Sequence, residues 1–495
     1  PEAGAKIVLQ FSANLTIMCE IIQPKLCENT MTAKGHQLLK DSKAARWTAL
    51  LIVSFTMFAG YYMADLMAPL QGMLQKQLGW SATDYGWYTG AYGWFNVFFF
   101  FLILGGIILD KMGVRFTGLA AAAIMVCGAL TKYWAITTHS LDGQSWHILF
   151  WTFPAQVWMA AFGYAVFGVG VEVAGITVSK VIVKWFKGHE LALAMGLQLA
   201  IARMGTALAL STSLPISKAF GTVSAPILIS ATMLCIGLLA YFVYTFNDKK
   251  LDASLAAHRK HEVKSADEEF HLSDIGAIVS SRGWWYLAIL CALFYSAVFP
   301  FLKYATGLMI DKYGVSENLA GLIPGLLPFG TILLTPFFGN LYDRKGKGAT
   351  IMIIGAVLII LVHSLFALPA LSHWIVAVLL MIVLGIAFSL VPSAMWPSLA
   401  KIIPEKRLGS AYALIFYIQN MFALMSVPAF IGWMLDKYCV IAPAVAGEQA
   451  PIRYNYTLPM IVFALIGVVS LIFALLLKAE DRKKGYGLQL PNMKS

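Results

Sequence analysis

Charge is what this chain has least of. Asp, Glu, Lys and Arg together make up 12% of its 495 residues, hydrophobic residues make up 59%, and the mean hydropathy is +0.73. That little polar sequence cannot cover the surface of a water-soluble fold of this length, so the composition points to a polytopic membrane protein. Cysteine is also sparse. The six cysteines lack paired spacing, and Cys127, Cys235 and Cys291 fall inside apolar segments, where a thiol behaves as a small hydrophobe. A disulfide framework or a metal site is therefore not expected. No Walker loop and no nucleophile–base constellation is present, so neither an enzyme activity nor a cofactor is expected. Acidic residues are the scarcer sign, 25 against 36 basic ones. In a soluble chain such an excess would suggest nucleic acid; in an apolar one it marks cytoplasmic loops, and no nucleic-acid partner is expected.

What the chain has instead is long apolar runs. A helix needs about 20 apolar residues to cross a bilayer. Twelve segments qualify: 47–70, 85–110, 115–137, 152–184, 190–214, 222–246, 284–312, 317–342, 348–369, 374–402, 408–434 and 455–478. The expected fold is all-α, twelve transmembrane helices in two six-helix halves. The expected organisation is a leader (1–46), a first bundle (47–246), a charged linker (247–283), a second bundle (284–478) and a tail (479–495). Residues 1–30 precede Met31 and read as upstream or appended sequence, so the Asn14 sequon there carries little weight. With the termini placed in the cytoplasm, inner loops and tails from Met31 onward hold 25 Lys and Arg. The outer side then holds six: Lys76, Lys132, Lys218, Lys312, Lys437 and Arg453. The bias sets the orientation. Trp80, Trp87, Trp146, Trp284, Trp285, Trp374 and Trp433 lie near span ends, as interfacial anchors should.

One short motif occurs twice, after the second span of each half. The first copy runs Gly106-Ile107-Ile108-Leu109-Asp110-Lys111-Met112-Gly113-Val114-Arg115, the second Gly339-Asn340-Leu341-Tyr342-Asp343-Arg344-Lys345-Gly346-Lys347. A duplicated membrane unit with such hairpins points to an alternating-access carrier. The pattern resembles the signature loop of the major facilitator superfamily: Gly, three residues, Asp, Arg or Lys, any residue, Gly, Arg or Lys. The second copy fits throughout; the first departs at Val114, with its basic residue displaced to Arg115. A carboxylate at Asp110 or Asp343 can accept hydrogen bonds from a helix N-terminus in the opposite half, where the dipole is positive. The resemblance implies that this contact closes the cytoplasmic side. Gly106, Asp110, Lys111, Gly113, Gly339, Asp343, Arg344 and Gly346 are the candidate gating residues, together with Asp65 near the outer end of span 1.

Ionisable residues in mid-bilayer are costly and mark candidate sites. Glu172 lies about 12 residues into span 4 from the cytoplasmic end, about 18 Å along a helix. Arg203 lies about 13 residues into span 5 from the same side, so the two share a depth near the midplane. They suit the amino and carboxyl groups of a zwitterion, or form a structural ion pair. Asp65 is a gate partner, a proton site, or a helix-terminal group reaching water. Lys303 follows Pro300, which should interrupt span 7, and either snorkels outward or faces the cavity to attract an anion. In the second half Trp396, Tyr417, Gln419 and Asn420 fall mid-span and supply aromatic and amide groups, while His363 reads as packing.

A longer stretch narrows the resemblance. Phe167-Gly168-Val169-Gly170-Val171-Glu172, Lys184-Trp185-Phe186-Lys187-Gly188-His189-Glu190-Leu191 and Gly196-Leu197-Gln198 through Ala202-Arg203-Met204-Gly205 look like the lysosomal dipeptide-uniporter branch and its microbial relatives. Phe294-Tyr295-Ser296-Ala297-Val298-Phe299-Pro300-Phe301 and Leu408-Gly409-Ser410-Ala411-Tyr412 agree. The resemblance implies that Glu172, Arg203 and Trp396 engage a dipeptide's two ends. It departs at Val171, where the branch often has Gly, and at Lys303, which adds a charge. The leading expectation is a monomeric secondary carrier of dipeptides or amino-acid-like zwitterions, by uniport or coupled to protons. Organic-anion transport through Arg203 and Lys303 is the alternative carrier reading; a non-transporting receptor on the same fold is the alternative of another class. Leu38-Leu39 follows basic rather than acidic residues, which favours a bacterial cytoplasmic membrane over a lysosomal one.

Overall fold

The computed structural model describes residues 41–148, 151–186, 189–258, 272–404, 407–442 and 452–491. The leader through residue 40 with its Asn14, the motif residues Lys187 and Gly188, the linker from Arg259 to His271 and the last four residues lie outside them.

The apolar runs form helices because, in lipid, every backbone N–H and C=O must be satisfied within its own segment. Span 1 is Lys43–Leu78, span 3 Lys111–Thr137, span 4 Ala155–Phe186, span 5 Leu193–Phe220 and span 6 Ser224–Ala253. Span 7 is Arg282–Asp311, span 8 Glu317–Lys345, span 9 Gly348–Ala367, span 10 Trp374–Ile402, span 11 Leu408–Tyr438 and span 12 Thr457–Lys484. Span 2 departs from the continuous helix expected over 85–110. It is a bent pair, Ala82–Phe98 and Phe101–Leu109, with 56° between the two parts. The break falls at Phe100, a non-glycine residue at φ 56°, whose left-handed backbone cannot continue a helix. With that pair counted as one crossing, twelve spans carry Lys43 and Lys484 to the same face, termed here the terminal face. Two hairpins, β1 (Ser145–Ile148) with β2 (Trp151–Pro154) and β3 (Val440–Ala442) with β4 (Arg453–Tyr454), decorate the opposite face.

Packing is dense within spans 1–6 and within spans 7–12: span 3 lies along span 4, span 1 along span 5, span 8 along span 10 and span 9 along span 12. The two sets meet chiefly through span 2 against span 11 and span 5 against span 8. Pro300 interrupts span 7 as expected, with helix Arg282–Ser296 ending before it and Phe299–Asp311 starting at it. Span 11 changes to a π-helix over Asn420–Ser426, beside the 3-10 turn Ala91–Gly93 of span 2. Such π segments widen the helix and often mark functional positions.

Three expectations change. Lys132, counted on the outer side, does not reach that surface: it is 1% exposed inside span 3. Trp80 and Trp284 are buried rather than interfacial, because Trp80 donates to Gln156 and Trp284 to the Ala411 carbonyl. The start of the linker, expected to be solvated with some helix, is helix to His258 but is not fully solvated: Asp248 is fully buried and receives Lys184 at 2.7 Å. Asp252 receives Lys184 at 2.7 Å and Arg115 at 2.9 Å, so these four charges tie spans 3, 4 and 6 at the terminal face.

Candidate functional site

Glu172 and Arg203 do not form an ion pair. Glu172, on span 4, accepts a hydrogen bond from the Tyr92 hydroxyl of span 2 at 3.0 Å. Arg203, on span 5, sets its guanidinium carbon 5.9 Å above the Tyr61 ring of span 1, 5.9 Å above Phe299 of span 7 and 5.4 Å above Phe388 of span 10. Each contact is a cation–π interaction, which holds the guanidinium without using its N–H donors. Both side chains are partly accessible. Tyr61 lies within electrostatic range of Glu172 and Arg203 alike.

Trp396 joins this group through aromatic contacts. Its ring is 6.5 Å from Tyr295, which is 5.5 Å from the Phe388 ring beneath Arg203, and it stacks on Phe416 at 5.0 Å. The other expected binding residues have partners of their own. Tyr417 stacks on Phe100 at 5.3 Å, at the break of span 2. Gln419 is buried against the Cys291 thiol, and Asn420 is buried with its amide donating to the Phe416 carbonyl at 3.0 Å. Lys303 is engaged by Asp65 at 2.7 Å and by the Ala64 carbonyl at 2.8 Å. Thr206 donates to the other Asp65 oxygen at 2.7 Å. Fully buried His363 bonds the Ala297 carbonyl at 2.9 Å among Phe301, Phe366 and Phe463.

The Asp65–Lys303 pair links the two helix sets at the face opposite the termini, and other links surround it. Asp436, near the end of span 11, accepts from the backbone N–H groups of Ala82 at 3.0 Å and of Thr83, at the start of span 2. Lys218, at the end of span 5, pairs with Glu317 at the start of span 8. Spans 2 and 11 cross at Gly86 and Gly432; a Cβ on Gly86 would sit 3.0 Å from the Gly432 Cα, so only hydrogens allow the approach. These contacts link the two helix sets at this face.

The signature loops lie at the other end. Gly113 turns the first at φ 77° and Gly346 the second at φ 66°, conformations that favour glycine. Gly106 and Gly339 have open space where a Cβ would go, and Lys111 and Arg344 are exposed. The side chain of Asp110 lies outside the described set. The chain's end folds onto the second loop: Lys347 N–H donates to Gln489 at 2.9 Å and Gly348 N–H to Leu488 at 2.8 Å.

Sequence reasoning missed Lys132, Asp436, Tyr61 and Tyr92. Lys132 carried a signal, since it lies several residues inside the third apolar run and meets the rule for in-span charges. Asp436 carried none, because its role depends on a helix start 354 positions away.

Comparison with known proteins agrees with this architecture. The model of the Major Facilitator Superfamily matches residues 50–428 and, in a second match, 309–490. The lysosomal dipeptide transporter MFSD1 of Homo sapiens is 28% identical over 425 residues, covering 84% of this chain and 83% of the relative. That of Danio rerio is 28% identical over 406 residues, covering 79% and 81%. Among solved structures, a bacterial homologue of the human lysosomal transporter Spinster, inward-facing and occupied, superposes with a TM-score of 0.66 at 12% identity, covering 89% of this chain and 98% of that one. The nucleoside transporter NupG gives 0.63 at 15% identity, covering 87% and 98%. With twelve spans, two signature loops and a family match over most of its length, the chain belongs to the Major Facilitator Superfamily and is an integral membrane transporter of small molecules.

Proposed function

We propose that the chain carries dipeptides or similar zwitterions by alternating access, with Arg203 binding the carboxylate and Glu172 the amine. One observation carries the reading: a carboxylate bonded to Tyr92 and a guanidinium over Tyr61, both within electrostatic range of Tyr61, form no ion pair with each other. A structural pair would have closed on itself, since leaving two in-membrane charges apart is costly. A zwitterion reaching both would give each a partner of opposite charge. Trp396 and Tyr295 offer aromatic surface for side chains of varied size. The MFSD1 relatives, named as dipeptide transporters, support the same class. The organic-anion alternative loses its second cation here, because Lys303 is occupied by Asp65.

Calorimetry with free, N-acetylated and C-amidated dipeptides tests the assignment. Free peptides should bind, and each blocked form should lose affinity. Equal binding of all three would remove both residues from the site.

By the distribution of Lys and Arg, the terminal face is cytoplasmic. A Lys76→Cys thiol should then label from outside intact cells and a Lys345→Cys thiol only after permeabilisation. The reverse pattern would invert the orientation. The named relatives are lysosomal, whereas the leader favoured a bacterial cytoplasmic membrane; fractionation of the source cells separates the two.

A further inference from the structure

Lys132 is buried with no ion pair among the described residues. It is 1% exposed, and its Nζ lies 5.2 Å above the Tyr164 ring and 5.8 Å above Tyr88. Its nearest acceptor is the Met63 carbonyl at 3.5 Å, a long contact for an ammonium with three donors. Met63, Ala64 and Asp65 are consecutive at the end of the first helix of span 1, Lys43–Asp65. Lys303 holds the next two of these residues, through the Ala64 carbonyl and the Asp65 carboxylate. The Tyr164 hydroxyl also donates to Ala64, at 2.6 Å. Two lysines therefore converge on one three-residue stretch that offers a single carboxylate.

The lysines differ in where they are anchored. Lys303 is on span 7, in the second helix set, and its pairing with Asp65 links the two sets at the face opposite the termini. Lys132 is on span 3, in the same set as Asp65. If spans 1 and 7 part as that face opens, Lys303 leaves with span 7, while Lys132, bonded to the Met63 carbonyl two residues before Asp65, stays in the same helix set as Asp65.

We propose that Asp65 is a shared counter-ion: Lys303 neutralises it while the face is closed, and Lys132 takes it over when the face opens. The carboxylate is then paired in both states, which removes the penalty for stranding a buried charge during the transition. Tyr88 and Tyr164 hold the waiting ammonium in the closed state through their ring faces. Thr206, on span 5, keeps one Asp65 oxygen fixed while the other changes partner. The inference rests on the alternating-access reading but not on the choice of substrate.

Spin labels at Lys76→Cys and Ser372→Cys, in a background lacking other cysteines, report opening across that face. Lys303→Met should raise the ratio of open to closed protein roughly tenfold, a typical conformational coupling. Adding Lys132→Met should reverse most of that rise, and adding Asp65→Asn instead should do the same. An unchanged or larger open fraction in Lys303→Met/Lys132→Met overturns the shared counter-ion while leaving the carrier reading intact. No movement in any variant overturns both. Lys132→Gln replaces Lys132→Met if the latter does not fold. If neither folds alone, Asp65→Asn should rescue monodisperse protein, and failure of that rescue overturns the pairing.

Discussion

Asp436 caps Ala82 from 354 positions away: its Oδ1 accepts the Ala82 N–H at 3.0 Å, while Oδ2 takes the Thr83 N–H. The carboxylate sits on the first N–H groups of span 2, where the helix dipole is positive and the backbone donors lack partners within the helix. This is the device expected of Asp110 and Asp343 at the terminal face, found here at the other end of the molecule. Tyr454 holds the same carboxylate with its hydroxyl at 2.9 Å, and Gln75 in turn donates to Tyr454 at 2.8 Å.

Asp436→Asn keeps the shape, removes the charge and leaves only one acceptor oxygen for two N–H donors. The cost is about 1–2 kcal/mol, the usual range for losing a helix N-cap interaction. It is paid only in the closed state, so the open population at the opposite face should rise about five- to thirtyfold. Distances between labels at Lys76→Cys and Ser372→Cys measure the shift; an unchanged distribution would show that Asp436 is not a latch.

Asp343→Asn should impair transport by roughly tenfold or more while changing ligand affinity in detergent by less than about threefold. The reason is position. Asp343 lies in the last helical turn of span 8 at the terminal face, away from Arg203 and its aromatic neighbours. Counterflow in proteoliposomes beside calorimetry on the same preparation separates the two effects. Loss of binding with transport geometry intact would reassign Asp343 to the ligand.

Arg203→Lys keeps the charge but loses the planar fork that grips a carboxylate with two hydrogen bonds. Glu172→Gln loses the anion that would receive the amine. Each should weaken a free dipeptide by about 2–4 kcal/mol, roughly 30- to 1,000-fold. The two variants should also differ. Glu172→Gln should bind free and N-acetylated peptides alike, and Arg203→Lys free and C-amidated ones alike. Titration calorimetry with the three peptide forms reads the crossed pattern; equal losses for all forms would indicate misfolding or a structural role.

Gly346→Ala should destabilise the second signature loop. Gly346 sits at φ 66°, and an added Cβ would lie 2.5 Å from the Gln489 carbonyl and 2.5 Å from Leu490 C. Strain of about 1–3 kcal/mol is expected from such backbone positions. Residues 488–490 should detach first, since they hold the loop through Lys347, Gly348 and Lys401. Proteolysis of the C-terminal segment with full-length protein as control measures the release; unchanged resistance would show that the end of the chain is held elsewhere.

The amino-acid sequence by itself determined the class, the number of spans and their approximate limits, the break at Pro300 and the duplicated loop. These are local properties: apolar run length, proline, glycine and charge are written in consecutive residues, and the bilayer converts them into helices without reference to neighbours. It also picked out Glu172 and Arg203, because a charge in mid-span is conspicuous wherever the helix packs. Only the tertiary structure decided the partners. Lys303 and Asp65, 238 positions apart, read separately as a binding residue and a gate residue and proved to be one ion pair. Lys132 read as an outer-side charge and proved to be a buried one among tyrosines of spans 2 and 4. The left-handed turn at Phe100 left no mark in the apolar pattern, because a phenylalanine-rich run reads the same whether its helix continues or breaks. Spacing along the chain fixes which residues share a helix face; which helix that face meets depends on how twelve helices pack, and that is set by contacts between residues hundreds of positions apart.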